Sequence, residues 1–440
     1  MTSINWIPIQ RLAAGVALVL SSLSIGMGSA QAADCDPGAS GALPVVNTGL
    51  PVVQIWTTAR APILDRETYI SACMRIKDGS AQPYGQGLFN GTTVKVRGRG
   101  NSTWDMPKRG VRIKLDVAAP VLDMPSHKDW VLLANYADKT LLRNAVGMEF
   151  SRRVGMAWTP RLRHVDVYLN DEFLGNYQLG EKVEVAPNRV NITPMTTADI
   201  ALPNVSGGWL IEADFLEYMG TGDKYFDTAS GIHFVMQSPS GTSLQPAQVA
   251  YISQYTQALE NAILARNDQP GTGYPSLIDV NSLINWYIVE ELLKNVDSPF
   301  RSSVNIYKDR NGPMKMGPLW DFDLAAGNVD YSADAMVPTG WYIRSRSDWI
   351  GALVQDKNFR NRVKTRWNEV KSQLQSIDGY IDAMESRLQR SQAANFTRWP
   401  ILNEWVWPNA VVLGSHHAEV AYLKDWLAQR ISWMDRNIGK

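Results

Sequence analysis

The sequence has little of several features that would indicate a function directly. Its 440 residues contain two cysteines and five histidines, and none of them has the spacing of a zinc site. Formal net charge is zero and no run of like charge stands out, so we expect neither nucleic-acid binding nor a polybasic membrane patch. No internal repeat is evident. The apolar content of 45% and the 16 tryptophans suffice for one large domain or two ordinary ones.

The N-terminus is predicted to be a secretory signal peptide that covers residues 1–32. Arg11 precedes the apolar run Leu12 to Leu20, and Ala30-Gln31-Ala32 supplies the expected cleavage site. An uncleaved membrane anchor is the alternative, but the strongly apolar portion is short for a span. We therefore expect a secreted, periplasmic or cell-surface protein that keeps no stable membrane span after cleavage.

The two cysteines, Cys35 and Cys73, both lie early in the mature chain. An even pair in an exported protein is typical of a disulfide, which would tie down the N-terminal segment. Two separate thiols are the alternative. A metal site at these cysteines is not expected, because no nearby histidine or Cys-x-x-Cys accompanies them.

A β-rich region is predicted from about Val52 to Leu115, where short strand-like segments alternate with glycine turns. The loop from Arg97 to Trp104 includes Gly100, Asn101 and Ser102, whose amides could approach a phosphate. It lacks the Gly-x-Gly-x-x-Gly spacing, so taken alone it favours an ordinary basic hairpin. Positive charge would come from the following residues: Arg97, Arg99, Lys108 and Lys114.

Further along, a helix is predicted to open at Asp138 and to carry Arg143, and a tight turn at Asn170-Asp171-Glu172 predicts a hairpin whose second strand ends at Glu181. The chain then becomes richer in helix. The other predicted elements are strands at Trp130 to Ala134, Arg163 to Leu169, Phe173 to Leu179 and Gly208 to Asp214, and helices at Pro246 to Ala265, at Val280 to Leu293 and from about Ser347 onward.

The segment from Lys294 to Asn328 concentrates acidic and amide residues at the ends of predicted elements: Asp297, Asn305, Asp321 and Asp323. Alternation over Trp320 to Leu324 predicts a strand that places both later carboxylates on one face. Adjacent carboxylates repel one another, and Mg²⁺ commonly binds one or two of them together with substrate phosphates. A solvated turn with surface acids is the alternative. The apolar neighbours favour the metal-phosphate interpretation, because burying unpaired acids is costly.

The order of these elements predicts an α+β protein with a β-rich N-terminal region and a helix-rich C-terminal region. A cleft between the two regions is the expected ligand position, with basic residues on one side and acidic residues on the other.

Five separated blocks, in order, resemble the CotH (spore coat protein H) kinase family over about residues 90 to 328. They read RGRGNSTWDMPKRGVRIKLD, DWVLLANYADKTLLRN, VDVYLNDEFLGNYQLGEKVE, NVDSPFRSSVNIY and PLWDFDLAAGN. The resemblance implies an atypical, divergent protein-kinase-like fold with two lobes, whose members bind ATP and a divalent metal. It also implies transfer of phosphate to serine or threonine of exported or coat proteins.

The resemblance further implies a role for individual residues. Asp297 matches the catalytic aspartate, and Asn305 and Asp321 match the positions that hold Mg²⁺ or Mn²⁺, a task that Asp323 is close enough to share. The loop at Arg97, Gly100, Asn101 and Ser102 resembles the segment that covers the phosphates. Either Lys108 or Lys114 would pair with the nucleotide, and Arg143 and Glu181 match characteristic positions whose roles stay open.

The chain departs from ordinary kinases, since it has Asn-Val-Asp where they have His-Arg-Asp, and Asp-Phe-Asp where they have Asp-Phe-Gly. Three functions are therefore compared: an exported Ser/Thr kinase acting on a protein rich in serine or threonine, a non-catalytic scaffold, and a carbohydrate-active protein. The kinase is favoured because all four acidic and amide positions are present. The predicted division is a signal peptide at 1–32, an N-terminal β-rich extension at 33–89, a kinase-like core at 90–330 and a helical region at 331–440 that completes the C-terminal lobe.

Overall fold

The computed structural model describes residues 46–77 and 92–440. The predicted signal peptide and Cys35 lie outside this part of the chain. Cys73 is disulfide-bonded, while its predicted pairing with Cys35 stays a prediction. Among the described helices, none has the length and apolar character that crossing a membrane requires.

The N-terminal region is a closed barrel of seven strands in the order β1-β2-β3-β4-β5-β7-β6. Neighbouring strands are antiparallel except β1 and β6, whose parallel pairing closes the barrel. Side chains alternate between its two faces: Val94 and Val96 enter the core, whereas Arg97 and Arg99 point outward. The strands are β1 (Val52–Thr57), β2 (Ile70–Lys77), β3 (Thr92–Arg99), β4 (Gly110–Val121), β5 (Met124–Leu133), β6 (Leu162–Leu169) and β7 (Glu172–Glu181).

The predicted hairpin between β6 and β7 is confirmed. Asn170 and Asp171 form its two-residue loop with φ angles of 52° and 72°. Positive φ at both loop positions is the type I′ geometry, which matches the twist of paired strands and favours Asn and Asp.

A second, five-stranded antiparallel sheet follows in the order β12-β11-β8-β10-β9. Its central strand β8 is bordered by β11 and β10, so residues of β8 and β11 lie side by side in the middle of the molecule. The strands are β8 (Trp209–Ala213), β9 (Tyr225–Asp227), β10 (His233–Ser238), β11 (Val304–Lys308) and β12 (Met314–Met316).

Eight helices of the described chain support the two sheets. The central one, α3, is apolar almost all round, and twelve of its residues are buried against α1, α6, α8 and β12. Asp279 caps its start by accepting hydrogen bonds from the amides of Asn281 (2.9 Å) and Ser282 (3.0 Å). The helices are α1 (Arg143–Arg153), α2 (Pro246–Leu264), α3 (Val280–Leu293), α4 (Ala333–Met336), α5 (Asp348–Leu353), α6 (Lys357–Gln375), α7 (Ile377–Arg398) and α8 (His416–Asn437).

Two local predictions are wrong. The helix expected to open at Asp138 starts at Arg143, because Leu141 adopts a φ of 60° and the Asp138 carboxylate instead accepts the Arg143 amide at 2.8 Å. The expected strand over Trp320 to Leu324 is an irregular loop. There the amide of Phe322 donates to Asn144 Oδ1 at 2.7 Å rather than to a neighbouring strand.

The mixed α+β composition, β-rich first and helical later, is confirmed. The two-lobed kinase-like arrangement stays a prediction, since the N-terminal strands close into a barrel. The predicted boundary at residues 89 and 90 lies outside the described part, between β2 and β3, which pair with each other in that barrel.

Candidate active site

A cleft of about 750 Å³ separates the outer face of the barrel from the second sheet. Outward-facing Arg97 and Arg99 of β3 and Arg112 of β4 form one wall. The opposite wall comes from β8, β11 and the loops that follow α3 and β12. The sheet-facing side is rich in carboxylates, so the cleft is basic on one wall and acidic on the other.

The basic wall begins at the loop after β3. Arg66 Nη1 donates to the carbonyl oxygen of Gly100 at 2.8 Å and to Asn101 Oδ1 at 3.3 Å. Gly100 has a φ of +114°, and a Cβ there would lie 2.2 Å from Thr103 Oγ1, so the loop requires glycine at this position. Gly100, Asn101 and Ser102 all line the cleft, as does Arg97.

Two guanidinium groups of this wall retain buried donors. Arg97 lies over the ring of Tyr69 at 5.2 Å, and Arg112 pairs with Asp129 at 2.8 Å. Nε of Arg97 and Nε of Arg112 are both buried, and neither has a hydrogen-bond partner among the described residues. Arg97, Arg99 and Arg112 together make this wall positively charged, so the wall fits an anionic ligand.

Arg99 extends from the barrel toward the acidic wall. Its guanidinium lies 5.7 Å from the ring centre of Trp320. Burial lowers the pKa of Arg99, and the nearby carboxylates of Asp321, Asp323 and Glu212 oppose that shift. Arg99 is therefore a positive charge that interacts with Asp321, Asp323 and Glu212.

Asp297 lies in the loop just after α3. Lys294 ends the helix with a left-handed φ of 45°, and the carbonyl of Asp297 accepts the Arg301 amide at 2.9 Å. Burial raises the pKa of Asp297 to about 7, with Asp321 and Asp214 adding to the rise and Arg301 opposing it. A carboxyl group with this pKa can accept a proton near neutral pH.

Asp321 and Asp323 line the same cleft from an irregular loop. Asp321 adopts a φ of 67°, its carbonyl accepts Asn295 Nδ2 at 3.1 Å, and its carboxylate accepts Ser303 Oγ at 3.1 Å. Burial, followed by the charge of Asp321, raises the pKa of Asp323 well above its usual range. The loop thus holds two carboxylates close together without a strand.

Asn305 lies on β11 and is 3% exposed. Its Nδ2 donates to the carbonyl oxygens of Pro318 (3.2 Å) and Ser303 (3.4 Å). These bonds fix which end of the amide donates, so Oδ1 is the end that can coordinate a cation.

Two further carboxylates in the cleft, Glu212 and Asp214, were missed from the sequence. Glu212 of β8 is paired in register with Asn305 of β11, and Asp214 follows that strand. Burial raises the pKa of Glu212 to about 8, and Asp214 and Asp321 add to the rise. Asp214 accepts a hydrogen bond from Ser302 Oγ at 2.6 Å. The sequence contained a signal for both acids, because Glu212 and Asp214 are separated by one residue on a predicted strand. The same spacing had been used to predict that Asp321 and Asp323 share a face.

The cleft is thus the place where a basic loop faces Asp297, Asn305 and paired acids. The sequence model of the CotH kinase protein family matches residues 96–434, about three quarters of the chain. The chain belongs to the CotH kinase protein family. The match starts in β3 and ends in α8, so it includes both walls of the cleft apart from Arg66 and Glu67. Strands β1 and β2 also precede it. No curated protein matches the chain.

In this CotH kinase protein, neither lysine proposed from the sequence lines the cleft. Lys108 is 1% exposed, and its ammonium donates to the Ala134 carbonyl (2.7 Å), to the Asn176 carbonyl and to Asn395 Oδ1 (2.9 Å). Burial lowers the pKa of Lys108 to about 7, yet three acceptor oxygens require the three donors of an ammonium group. Lys114 is exposed on the barrel surface. Within the described residues, both lie outside the cleft lining.

The lysine that does line the cleft is Lys182, immediately after β7. Its Nζ donates to the Val183 carbonyl at 3.2 Å and lies 3.8 Å from Glu184. Burial lowers the pKa of Lys182, and Glu184 opposes the shift. Strand alternation contained the signal: the preceding Glu181 faces the interior, so Lys182 must face the other side.

Arg143 and Glu181 are buried in structural ion pairs outside the cleft. Arg143 Nη1 bonds Asp138 at 2.7 Å, and its Nε donates to the Ala325 carbonyl at 3.1 Å. Glu181 accepts from Arg161 Nη1 (2.7 Å) and from the Arg161 amide (2.8 Å). Arg143 therefore connects the start of α1 to the loop just after Asp323.

The donor set of the cleft suits Mg²⁺ or Mn²⁺. Buried carboxylates together with one amide oxygen are hard ligands, and Mg²⁺ usually completes its sphere with phosphate oxygens and water. In the described chain, three carboxylate or imidazole atoms within 4.8 Å of one another occur elsewhere, at His127, Asp129 and Glu184. Arg112 and Arg189 already pair with those two acids, so the cleft is the better cation position.

Proposed function

We propose that this CotH family protein is an exported kinase that transfers the γ-phosphate of ATP to serine or threonine of a secreted or surface protein. The observation that carries the proposal is a single cleft in which Asp297, Asn305 and Asp321 face the arginine-lined loop of β3. Kinase chemistry requires this division, with an acid for the acceptor hydroxyl, an Asn and an Asp for metal, and positive charge for the phosphates.

Asp297 would orient the acceptor hydroxyl and take its proton. The bond between the hydroxyl oxygen and the γ-phosphorus forms while the bond from that phosphorus to the β,γ-bridging oxygen breaks, and ADP leaves with the electron pair. The raised pKa of Asp297, about 7, suits a group that must accept a proton near neutral pH and release it afterwards.

Asn305, Asp321 and Asp323 would hold Mg²⁺ or Mn²⁺. When bound, the cation would neutralise negative charge on the phosphates of the nucleotide. The fixed amide of Asn305 and the hydrogen bond from Ser303 to Asp321 support this role, because both pre-orient the ligand atoms.

The arginine-lined wall would hold the phosphate chain of ATP. This wall is lined by Arg97, Arg112, the loop from Gly100 to Ser102 and Lys182. Guanidinium groups bind phosphate oxygens in a fixed geometry, so several of them restrict the position of the nucleotide. Secretion through residues 1–32 and the Cys35–Cys73 disulfide belong to the same proposal.

The test is phosphate transfer by the purified protein, with labelled ATP and Mg²⁺ or Mn²⁺, to itself or to a Ser-rich acceptor. We expect Asp297→Ala and Asp321→Ala to lose transfer, while the exposed Asp425→Ala on α8 keeps it. Equal labelling by all four proteins would show that the proposed site is wrong. Nucleotide binding by calorimetry with no transfer to any acceptor would favour the non-catalytic scaffold instead.

A further inference from the structure

The loop that carries Asp321 and Asp323 has no regular structure to hold it. Residues 321–328 form neither strand nor helix, and Asp321 and Ala326 adopt left-handed φ angles of 67° and 49°. Several of its backbone carbonyl groups are bonded instead by side chains from other parts of the chain. Such bonds determine how the loop presents its carboxylates, so they matter to any cation that those carboxylates bind.

Arg143, the first residue of α1, holds the loop just after Asp323. Its Nε donates to the Ala325 carbonyl at 3.1 Å, and its Nη2 donates to the Ala326 carbonyl at 3.4 Å. Its Nη1 bonds Asp138 at 2.7 Å, and both side chains of this pair are at most 2% exposed. The ion pair fixes the guanidinium plane, so the other two donors reach two successive carbonyl groups. Only arginine offers this fork of donors, whereas the ammonium of a lysine is a point charge.

Asn328 holds the backbone at Asp323 itself. Its Nδ2 donates to the Asp323 carbonyl at 2.8 Å and to the Ala137 carbonyl at 3.3 Å. Its Oδ1 accepts Asn409 Nδ2 at 3.0 Å, and Asn409 also donates to the Ala137 carbonyl at 2.6 Å. Both asparagines are at most 5% exposed. Because Ala137 directly precedes Asp138, the bonds of Asn328 and of Arg143 both connect the acid loop to the segment that leads into α1.

Arg143 and Asn328 lie outside the lining of the cleft, so they can affect a ligand only through the loop that they hold. We propose that both are positioning residues for the cation: they keep the loop in the form that presents Asp321 and Asp323 to one metal ion. This inference rests on the proposed function, in which these two acids hold Mg²⁺ or Mn²⁺. Groups that orient the ligands of a metal commonly contribute about tenfold or more to its affinity.

Direct binding of Mn²⁺ tests this role without phosphate transfer. The protein is titrated with Mn²⁺, with and without ADP, and the free ion is measured by electron paramagnetic resonance. Arg143→Lys keeps a positive charge beside Asp138 but loses the fork, and Asn328→Leu removes the donor to the Asp323 carbonyl at similar size. Each should weaken Mn²⁺ binding about tenfold or more, at a temperature where circular dichroism shows the variant to be folded. Unchanged affinity in either folded variant would overturn the proposal.

Two matched controls separate positioning from a general loss of stability. Arg430 also pairs with a buried carboxylate, that of Glu291, and donates to two backbone carbonyl groups. Gln248 is 1% exposed, and its amide donates to two backbone carbonyl groups at 2.7 Å and 3.2 Å. Arg430→Lys and Gln248→Met should unfold at lower urea concentration yet bind Mn²⁺ as the parent does, because neither residue bonds the acid loop. Equally weakened Mn²⁺ binding in these controls would overturn the proposal.

The same variants separate this inference from the proposed function. In phosphate transfer, Arg143→Lys and Asn328→Leu should raise the KM for Mn²⁺ about tenfold, and saturating Mn²⁺ should restore most of kcat. Weakened Mn²⁺ binding in both variants, in a parent that transfers no phosphate, would leave the positioning role standing and reject the kinase. Mn²⁺ binding lost in Asp321→Ala but kept in both variants would reject the positioning role alone. A parent that binds no Mn²⁺, with or without ADP, would overturn both.

Discussion

Phe322, the middle residue of the Asp-Phe-Asp segment, packs directly on Gly147 of α1. A Cβ atom at position 147 would lie 2.2 Å from Cδ2 of the Phe322 ring. One turn earlier on the same helix, Asn144 Oδ1 accepts the Phe322 amide at 2.7 Å. The helix therefore fixes the backbone from which Asp321 and Asp323 enter the cleft.

We predict that Gly147→Ala impairs both stability and phosphate transfer. The added methyl group must displace the Phe322 ring, and overpacking of this kind costs about 1–3 kcal/mol of unfolding free energy. The rate of phosphate transfer should fall by more than the loss of folded protein explains, because Asp321 and Asp323 move with the Phe322 ring. Urea unfolding and phosphate transfer, measured on the same preparation, check this.

The control for that prediction is Gly379→Ala on α7, where an added Cβ meets no atom within 4 Å. Alanine is more favourable than glycine inside a helix, so the unfolding free energy of this variant should rise by about 0.5–1 kcal/mol. Its phosphate transfer should equal that of the parent. A Gly147→Ala protein as stable and as active as the parent would show that the contact does not position the acids.

The pH dependence of phosphate transfer should reflect the ionisation of Asp297. Its pKa is about 7, and the proton acceptor must be ionised, so kcat/KM for ATP should rise through neutral pH and level off above about pH 8. This ratio reflects ionisation in the free enzyme. Asp297→Asn should remove the rising limb together with most activity. A parent profile that is flat between about pH 5 and 8 would contradict the assignment.

The same group should make the fold less stable as pH rises. A carboxyl pKa raised on folding means that the native state holds more protons than the unfolded state between the ordinary aspartate pKa and about 7. Unfolding free energy is thus lost as pH rises through that window. Asp297→Asn, which cannot ionise, should be more stable than the parent near pH 8, as measured by urea unfolding at several pH values.

Three lysine substitutions should have three different results. Lys182→Met should raise KM for ATP about tenfold or more, because a charged donor to phosphate is lost. Lys114→Met should change nothing measurable, since the side chain is exposed outside the cleft. Lys108→Met should lower the unfolding free energy by about 3 kcal/mol, because three buried acceptor oxygens lose their donor. A Lys114→Met protein with the largest KM effect would contradict the geometry.

The helical region contains a buried ion pair between Arg430 and Glu291, at 2.9 Å, with both side chains fully buried. Arg430→Met should cost about 3–5 kcal/mol, because the Glu291 carboxylate would stay buried without its partner. The surface pair Lys424–Asp382 is the comparison, and Lys424→Met should cost no more than about 1 kcal/mol. Denaturant unfolding of both variants distinguishes them, and equal losses would contradict the prediction.

The sequence predicted correctly those elements whose conformation depends on residues close together in the chain. Helix α3 has the predicted bounds because a long apolar run follows a capping aspartate, and the β6–β7 hairpin follows from its Asn-Asp turn. The acids at Asp297, Asp321 and Asp323 were predicted to lie together from their order along the chain, and all three line the cleft, while their roles stay predictions. In each case the residues that carry the signal lie within a few tens of positions of one another in the sequence.

Long-range contacts explain what the sequence did not predict. Lys182, Glu212 and Asp214 join the cleft through the packing of separate elements. Local strand patterns indicate which way these side chains face, but not which elements meet at the cleft. The strand expected at Asp321 to Asp323 failed because its central amide bonds a helix 178 residues away in the chain. Lys108 and Lys114 were chosen for their proximity in sequence to the loop from Arg97 to Trp104, whereas strand alternation and packing determine which side chains face the cleft.

The parallel pairing of β1 with β6 closes the barrel. The family match starts at residue 96, after β1 and β2. A fragment expressed from that residue would begin inside β3 and expose unpaired backbone on both β6 and β3. Open strand edges invite pairing between chains, so such a fragment should aggregate. Studies of the family domain therefore need the N-terminal strands, even though the family match does not include them.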